Sequence, residues 1–464
     1  MKCPLAPCIA LLATGCVAGQ DYRVPPDALA LRPEAAAPFL GTGTPGVSQS
    51  DLPRHWWRLY RDSRLDAYVT EALDANTDLR AAEANLRRAS AVVREAAAAR
   101  TVRAGVDGQG AVARIGGPTG GLPAPFSYTL GLNVGYPLDL AGGIRRGIEA
   151  ASAEAEAALA ARDQVRVVVA AGITRTYARV CADGLALAAA QRVVAIQRST
   201  LDVAVRMARG GRGTRFDIDR ARAAALSSES AIPDILADRR AALFELAALM
   251  GRLPADYPRE LEGCAVIPSL ANPLPVGDGA MLLKRRPDIR QAERMLAAAT
   301  AGIGVVRAEL YPSISLGGSV GTAASFGRAL GPSSFGFSLG PLISWSLPNK
   351  NAVRARIVEA GADADAALAG FDGAVLLALR QTETALSAYA QARNRLDALE
   401  KAANAANRAS KDVERLQRFG RTPFLDVLNA QAGYAEAQTS LSAARAGLVD
   451  RQIDLFLALG GGWE

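Results

Sequence analysis

Asn76-Thr77-Asp78-Leu79-Arg80-Ala81-Ala82-Glu83-Ala84-Asn85-Leu86 returns 210 positions later as Arg286-Pro287-Asp288-Ile289-Arg290-Gln291-Ala292-Glu293-Arg294-Met295-Leu296. Further along, Asp217-Ile218, Ala221, Leu246 and Gly251 find counterparts 209 positions on, in Asp426-Val427, Ala430, Leu455 and Gly460. Self-similarity at a fixed long period is the mark of a duplicated structural unit. The chain is therefore read as two tandem copies, repeat 1 over 63–253 and repeat 2 over 276–464. A Pro-rich connector, 254–275, lies between them.

Both copies carry the same order of patterns. A helical run comes first, Ser63–Arg100 and Gly277–Leu310, followed by two short alternating segments. A very long helical run succeeds them, Ala141–Ala208 and Asn351–Arg418. Gly-containing turns, Arg209–Arg215 and Phe419–Pro423, lead into return helices, Asp217–Met250 and Asp426–Leu459. At 1.5 Å per residue the long helices would span roughly 100 Å, and the return helix about half of that. The first helix of each copy supplies the remaining length. Each copy is thus expected to be a helical hairpin rod with both strands at one end and the turn at the other.

The alternating segments read as strands. Tyr128, Leu130, Leu132, Val134, Tyr136 and Leu138 alternate with Ser127, Thr129, Gly131, Asn133 and Gly135. Phe335, Phe337, Leu339, Ile343, Trp345 and Leu347 repeat the pattern. The expected strands are about 102–113, 127–138, 313–322 and 335–347. Their length suits tilted strands crossing a bilayer. Open strand edges are not tolerated in lipid, and four strands do not close a barrel. Several chains must then pool their strands, and three would supply twelve.

Hydrophobic residues make up 50% of the 464 and charged residues 21%, which excludes wholesale disorder. Aromatics are only 5%, the apolar fraction being mostly Ala, as close-packed helices require. The 53 basic and 46 acidic residues are interspersed, so the net charge of +7 reads as ion-paired helix surfaces and not as a nucleic-acid site. The lone histidine, His55, leaves no His-based metal cluster, and no nucleophile–base set or phosphate loop points to an enzyme. At the N-terminus, Lys2, a short apolar core Ile9–Ala13 and Leu11-Leu12-Ala13-Thr14-Gly15-Cys16 read as a signal peptide, 1–15, ending in a lipoprotein box. Cys16 would take a covalent lipid, and 16–62 would be a lipidated extension. With no cofactor expected besides that lipid, only Cys181 and Cys264 remain. They show no C-x-x-C spacing, so neither a disulfide nor a zinc site is expected from them.

Four further stretches carry a family resemblance. They are Gly19-Gln20-Asp21-Tyr22-Arg23-Val24-Pro25, Trp57-Arg58-Leu59-Tyr60-Arg61-Asp62 with Leu65, Tyr136-Pro137-Leu138-Asp139-Leu140-Ala141-Gly142-Gly143, and Phe424-Leu425-Asp426-Val427-Leu428-Asn429-Ala430-Gln431 after Gly420. Together they resemble the outer-membrane factors of the TolC family, specifically the NodT-type efflux lipoproteins. The resemblance implies a mainly helical chain with a membrane β-barrel part. It implies a homotrimer with a twelve-stranded barrel in the bacterial outer membrane and a twelve-helix tunnel in the periplasm. Its expected partners are a periplasmic adaptor, an inner-membrane pump of the RND class and outer-membrane lipid, with no nucleic acid. The function implied is efflux of drugs or other toxic solutes. A type I protein-secretion duct and a lipid-anchored coiled-coil scaffold without a pore are the alternatives.

In such a duct the turns matter most. Asp217, Asp426, Arg418 and Arg421 are the candidate gate, the aspartates pairing with Arg215, Arg418 or Arg421. The same aspartates would serve equally as N-terminal helix charges. Gly213, Phe216, Gly420 and Phe424 are candidate adaptor contacts, with packing between rods the alternative for the aromatics.

Overall fold

The computed structural model describes residues 18–43, 45–112, 126–270, 273–325, 332–345 and 350–461. In chain order its helices and strands are α1 (Pro33–Ala36), β1 (Val47–Ser48), α2 (Ser63–Ala75), α3 (Thr77–Ala98), β2 (Arg103–Val112), β3 (Phe126–Leu138), α4 (Gly143–Arg209) and α5 (Arg215–Leu249). They continue with β4 (Leu274–Pro275), α6 (Gly279–Arg285), α7 (Pro287–Ala308), β5 (Ser313–Ser325), β6 (Phe335–Ser344), α8 (Lys350–Arg418) and α9 (Phe424–Ala458). The two long helices have 67 and 69 residues and each return helix has 35. Residue 113 and residues 346–347, at the ends of two expected strands, lie outside the described residues, as does Cys16.

The chain divides into two compact units. One comprises 1–26, 85–159 and 291–371, the other 27–84, 160–290 and 372–464. The first holds a four-stranded antiparallel sheet in the order β2-β3-β5-β6. Its register aligns the side chains of all four strands. On one face Val106 lies beside Leu132, Leu132 beside Val320, and Val320 beside Phe337. The flanking rows place Val134 with Gly318 and Leu339, and Leu130 with Thr322 and Phe335. The opposite face carries Arg103, Asp107, Gln109, Thr129, Asn133, Ser319 and Ser338. There Asn133 Nδ2 donates to Asp107 Oδ1, and the hydroxyls of Ser319 and Ser338 lie 2.8 Å apart. Period-two alternation in each strand thus becomes one apolar and one polar face. Next to the sheet, Arg146 is buried, and its guanidinium donates to the carbonyls of Ala18 and Gly19 and to Asp21. That contact holds residues 18–21 against the start of α4.

The second unit is helical. Asp62 caps α2 by accepting from the backbone N–H groups of Arg64 and Leu65, and Leu65, Tyr68, Val69 and Ala72 form its buried face. Each helical run expected to be continuous at the start of a repeat is instead two helices, broken at Asn76 and at Arg286. The reason is the same in both copies. Asn76 Nδ2 donates to the carbonyl of Leu249 at 2.8 Å, and Arg286 Nη1 donates to that of Ala458 at 2.7 Å. Leu249 and Ala458 are the last residues of α5 and α9, whose terminal carbonyls have no partner within their own helix. A buried polar side chain at each break therefore closes the end of the return helix. Asn76 Oδ1 meanwhile accepts from the N–H groups of Asp78 and Leu79, starting α3.

The connector departs further from expectation. Cys181, on α4, and Cys264 form a disulfide, although their spacing carried no sign of one. The partners are separated by 83 positions and meet only because α4, α5 and the connector fold together. Residues 254–256 and 259–263 form single 3-10 turns, and β4 pairs in parallel with β1 of the N-terminal segment. By length and composition α4 would pass for a membrane-crossing helix, with an 18-residue window of mean hydropathy 1.3. Its Val167, Ala170, Ile173, Tyr177 and Val180 recur at helical intervals and are buried, so packing accounts for them.

Candidate functional site

Both hairpin turns belong to the helical unit, and they are neighbours: Gln417 Nε2 donates to Met207 Sδ at 3.3 Å. They are built alike. Gly211 (φ +70°) and Gly420 (φ +68°) occupy the left-handed region just past their helices. The next residue in each case donates back to the carbonyl five positions earlier, Arg212 to Met207 at 2.9 Å and Arg421 to Leu416 at 3.0 Å. This pattern terminates a helix and reverses the chain, and it favours glycine at the left-handed position. Gly213 serves differently. A Cβ there would lie 3.1 Å from the backbone nitrogen of Ala208, so its smallness lets the turn fold back on α4.

The candidate gate aspartates are held by threonines. Asp217 Oδ2 accepts from the backbone N–H of Thr214 at 2.9 Å and from its hydroxyl at 2.7 Å. Thr214 Oγ1 in turn accepts from the N–H of Asp217, completing a capping box. The hydrogen bonds from Thr214 hold the Asp217 carboxyl below the usual aspartate pKa. In the second turn the Thr422 hydroxyl donates to Asp426 Oδ2 at 2.6 Å. Among the described residues no ion pair joins either aspartate to Arg215, Arg418 or Arg421 within the chain. Arg215 instead faces Asp219 at 3.9 Å. Arg418 and Arg421 are exposed, as are Arg206, Arg209 and Arg212.

The aromatic candidates separate. Phe424 is half-buried, packed with Leu201 and Ile218 against Ala204, Ala221 and Leu428. Phe216 stays 65% exposed, with the Arg220 guanidinium 5.5 Å above its ring. Phe419, which the sequence reading passed over, is 74% exposed. Its signal was present: a large apolar side chain directly before the turn glycine, where a helix end offers little cover. Also unforeseen is a buried polar link behind the turns. Gln431 Nε2 donates to Thr200 Oγ1 at 2.8 Å and to Glu414 Oε1 at 3.0 Å, tying α9 to α4 and α8.

The sheet is the other functional surface. Val106, Leu130, Leu132, Val134, Phe335, Phe337 and Leu339 are all exposed on its apolar face. Tyr311 and Trp345, also exposed, mark the end where β5 starts and β6 stops. Large exposed apolar patches mark contact with protein or lipid. Among the described residues, strands β2 and β6 each keep one unpaired edge.

Comparison with known proteins agrees with this arrangement. The family model for outer membrane efflux proteins matches residues 68–252 and 280–461. Nodulation protein T of Rhizobium leguminosarum bv. viciae is 28% identical over 462 residues, covering 98% of this chain and 92% of the relative. The solvent efflux pump outer membrane protein SrpC of Pseudomonas putida is 28% identical over 474 residues, covering 100% and 99%. Among solved structures, the outer-membrane channel OprN superposes with a TM-score of 0.89 at 33% identity, covering 97% of this chain and 100% of that one. The open state of the Neisseria gonorrhoeae MtrE outer membrane channel does so with a TM-score of 0.79 at 28% identity, covering 96% and 98%. The chain belongs to the outer membrane efflux protein family and is the outer-membrane component of an efflux system.

Proposed function

We propose that three copies of the chain form one conduit, with twelve pooled strands closing a barrel in the outer membrane and the helical hairpins forming a periplasmic tunnel. The observation that carries this reading is the four-stranded sheet with one apolar face, one polar face and two open edges. Lipid tolerates such a sheet only when its edges are paired. The conduit receives small toxic solutes from a periplasmic adaptor and an inner-membrane pump of the RND class. Relatives named for solvent and toluene efflux support that cargo. Cys16 carries the lipid. Mass spectrometry of the mature N-terminus should find it acylated, and a free N-terminus would remove the anchor from the account.

The turns are the closure. Asp217, Asp426, Arg418 and Arg421 would recur three times around the assembly, where exposed ion pairs between chains contribute about 0–1 kcal/mol each. Their summed effect holds a modest two-state equilibrium that an adaptor shifts by docking at Gly213, Phe216 and Gly420. Phe424, half-buried beside Leu201 and Ile218, contributes by shaping that surface. Planar-bilayer recording tests the closure. Asp217→Ala with Asp426→Ala should raise single-channel conductance while the oligomer persists. Unchanged conductance in an assembled double variant would confine both aspartates to capping their helices.

A further inference from the structure

We infer that Cys181 and Cys264 are a site of thiol oxidation, closed during biogenesis by a protein-disulfide oxidant of the periplasm before the connector docks on the helices. The bond ties the middle of α4 to the connector, and so encloses the far part of α4, the first turn and all of α5.

Three features converge on the seat of Cys264. Gly184, one turn along α4 from Cys181, has no side chain, and a Cβ there would overlap the Cys264 carbonyl oxygen. Arg239 of α5 donates through Nη2 to the carbonyls of Leu261 (3.1 Å), Glu262 and Cys264 (3.3 Å). The third is the sulfur of Cys181. Upstream, Tyr68 donates to Glu260 and Arg252 pairs with Glu71 through two 2.6 Å bonds. Immediately downstream Val266 is 81% exposed and 265–270 has no helix or strand, although Pro268 is buried. Cys264 is thus the last connector residue that these bonds hold against α4 and α5.

Burial sets the order of events. Cys181 is 0% and Cys264 5% exposed. Exchange requires a thiolate to attack a disulfide sulfur through a mixed disulfide, so the oxidant must reach one of these atoms. The docked connector excludes it. The compartment supplies the oxidant, since an outer-membrane protein passes through an oxidising periplasm. The other cysteines all lie within the first 16 residues, so the rest of the chain offers no competing thiol. In the first step one chain thiolate attacks the oxidant's disulfide, and the released oxidant thiolate takes up a proton. In the second, the other chain thiolate attacks the chain-side sulfur of the mixed disulfide and expels the oxidant's remaining thiolate. Two chain thiols lose two electrons and two protons, and the oxidant's disulfide becomes a dithiol.

The test expresses the full chain in bacterial cells with and without their periplasmic thiol oxidant, alongside Cys181→Ala/Cys264→Ala. Protease-resistant chain in the outer-membrane fraction is quantified, and thiols are counted in the denatured mature protein with a mass-tagged maleimide. The expected result is that wild type gains two labels only after reduction. Its assembled level should fall several-fold without the oxidant and return when cystine is added to the medium. The double variant should assemble at the low level in both cells. Free thiols in wild type assembled in cells that have the oxidant would overturn the proposal, as would an assembled level indifferent to the oxidant. A double variant that assembles like wild type, or that also falls without the oxidant, would overturn it as well.

Discussion

Asp183 sits on α4 with its Oδ2 buried and without a hydrogen-bond partner among the described residues. Burial raises its pKa to about 6. Arg179 and Arg239 oppose the rise, and Asp238 adds to it. A carboxyl whose folded pKa exceeds its unfolded value binds its proton more tightly in the native state. Its contribution to stability is complete below the unfolded pKa of about 4 and is lost as pH rises through about 6. The thermal midpoint of the full chain should carry a component that declines across that window, and Asp183→Asn should abolish it. An unchanged pH slope in the variant would mean that Asp183 is solvated in the assembled protein. Asp217 has the opposite sign: its depressed pKa contributes stability that is lost only as the solution becomes acidic enough to protonate it. Asp217 was legible as an N-terminal helix charge, while its capping box with Thr214 emerged only in the structure. The fates of Phe216 and Phe424 were not legible, because both stand beside a turn and only the helical phase of their neighbours separates an exposed ring from a packed one.

At the scale of elements, alternation located the strands and periodicity located the long helices, since both depend on nearest neighbours along the chain. The pairing of β3 with β5 was not legible, because it joins hairpins from different repeats through a register set only in three dimensions. The breaks at Asn76 and Arg286 left signals that propensity masked: a capping Asn before Thr77, and Pro287 in the first helical turn. The disulfide left none, since cysteines 83 positions apart reveal no partner by spacing. In the chain-entropy description, closing a loop of that size stabilises the fold by about 4–5 kcal/mol. The sheet's two faces make a sharp prediction. Leu132→Arg, on the apolar face, should lower membrane insertion by about 2–4 kcal/mol if it lies at the bilayer midplane. Asn133→Arg, one residue away on the polar face, should insert normally and alter conductance. Equal effects in a membrane-insertion titration would mean that the apolar face does not meet lipid.

The whole molecule is incomplete as a single chain. Among the described residues its sheet ends in two open edges, β2 and β6, and its apolar face is bare from Val106 to Phe337. Tandem duplication makes the need for partners plain, because two hairpins give four strands and four strands cannot close. What the sequence could not supply was the identity of the contacts across copies, since residues such as Arg418 and Arg421 have no counter-ion among the described residues of their own chain. The central claim, that copies of the chain complete each other's barrel, is tested most directly by counting the chains in one detergent-extracted, conducting particle. Native mass spectrometry of the particle that forms channels in planar bilayers should give three chains. A single chain that conducts as a stable monomer would contradict the account.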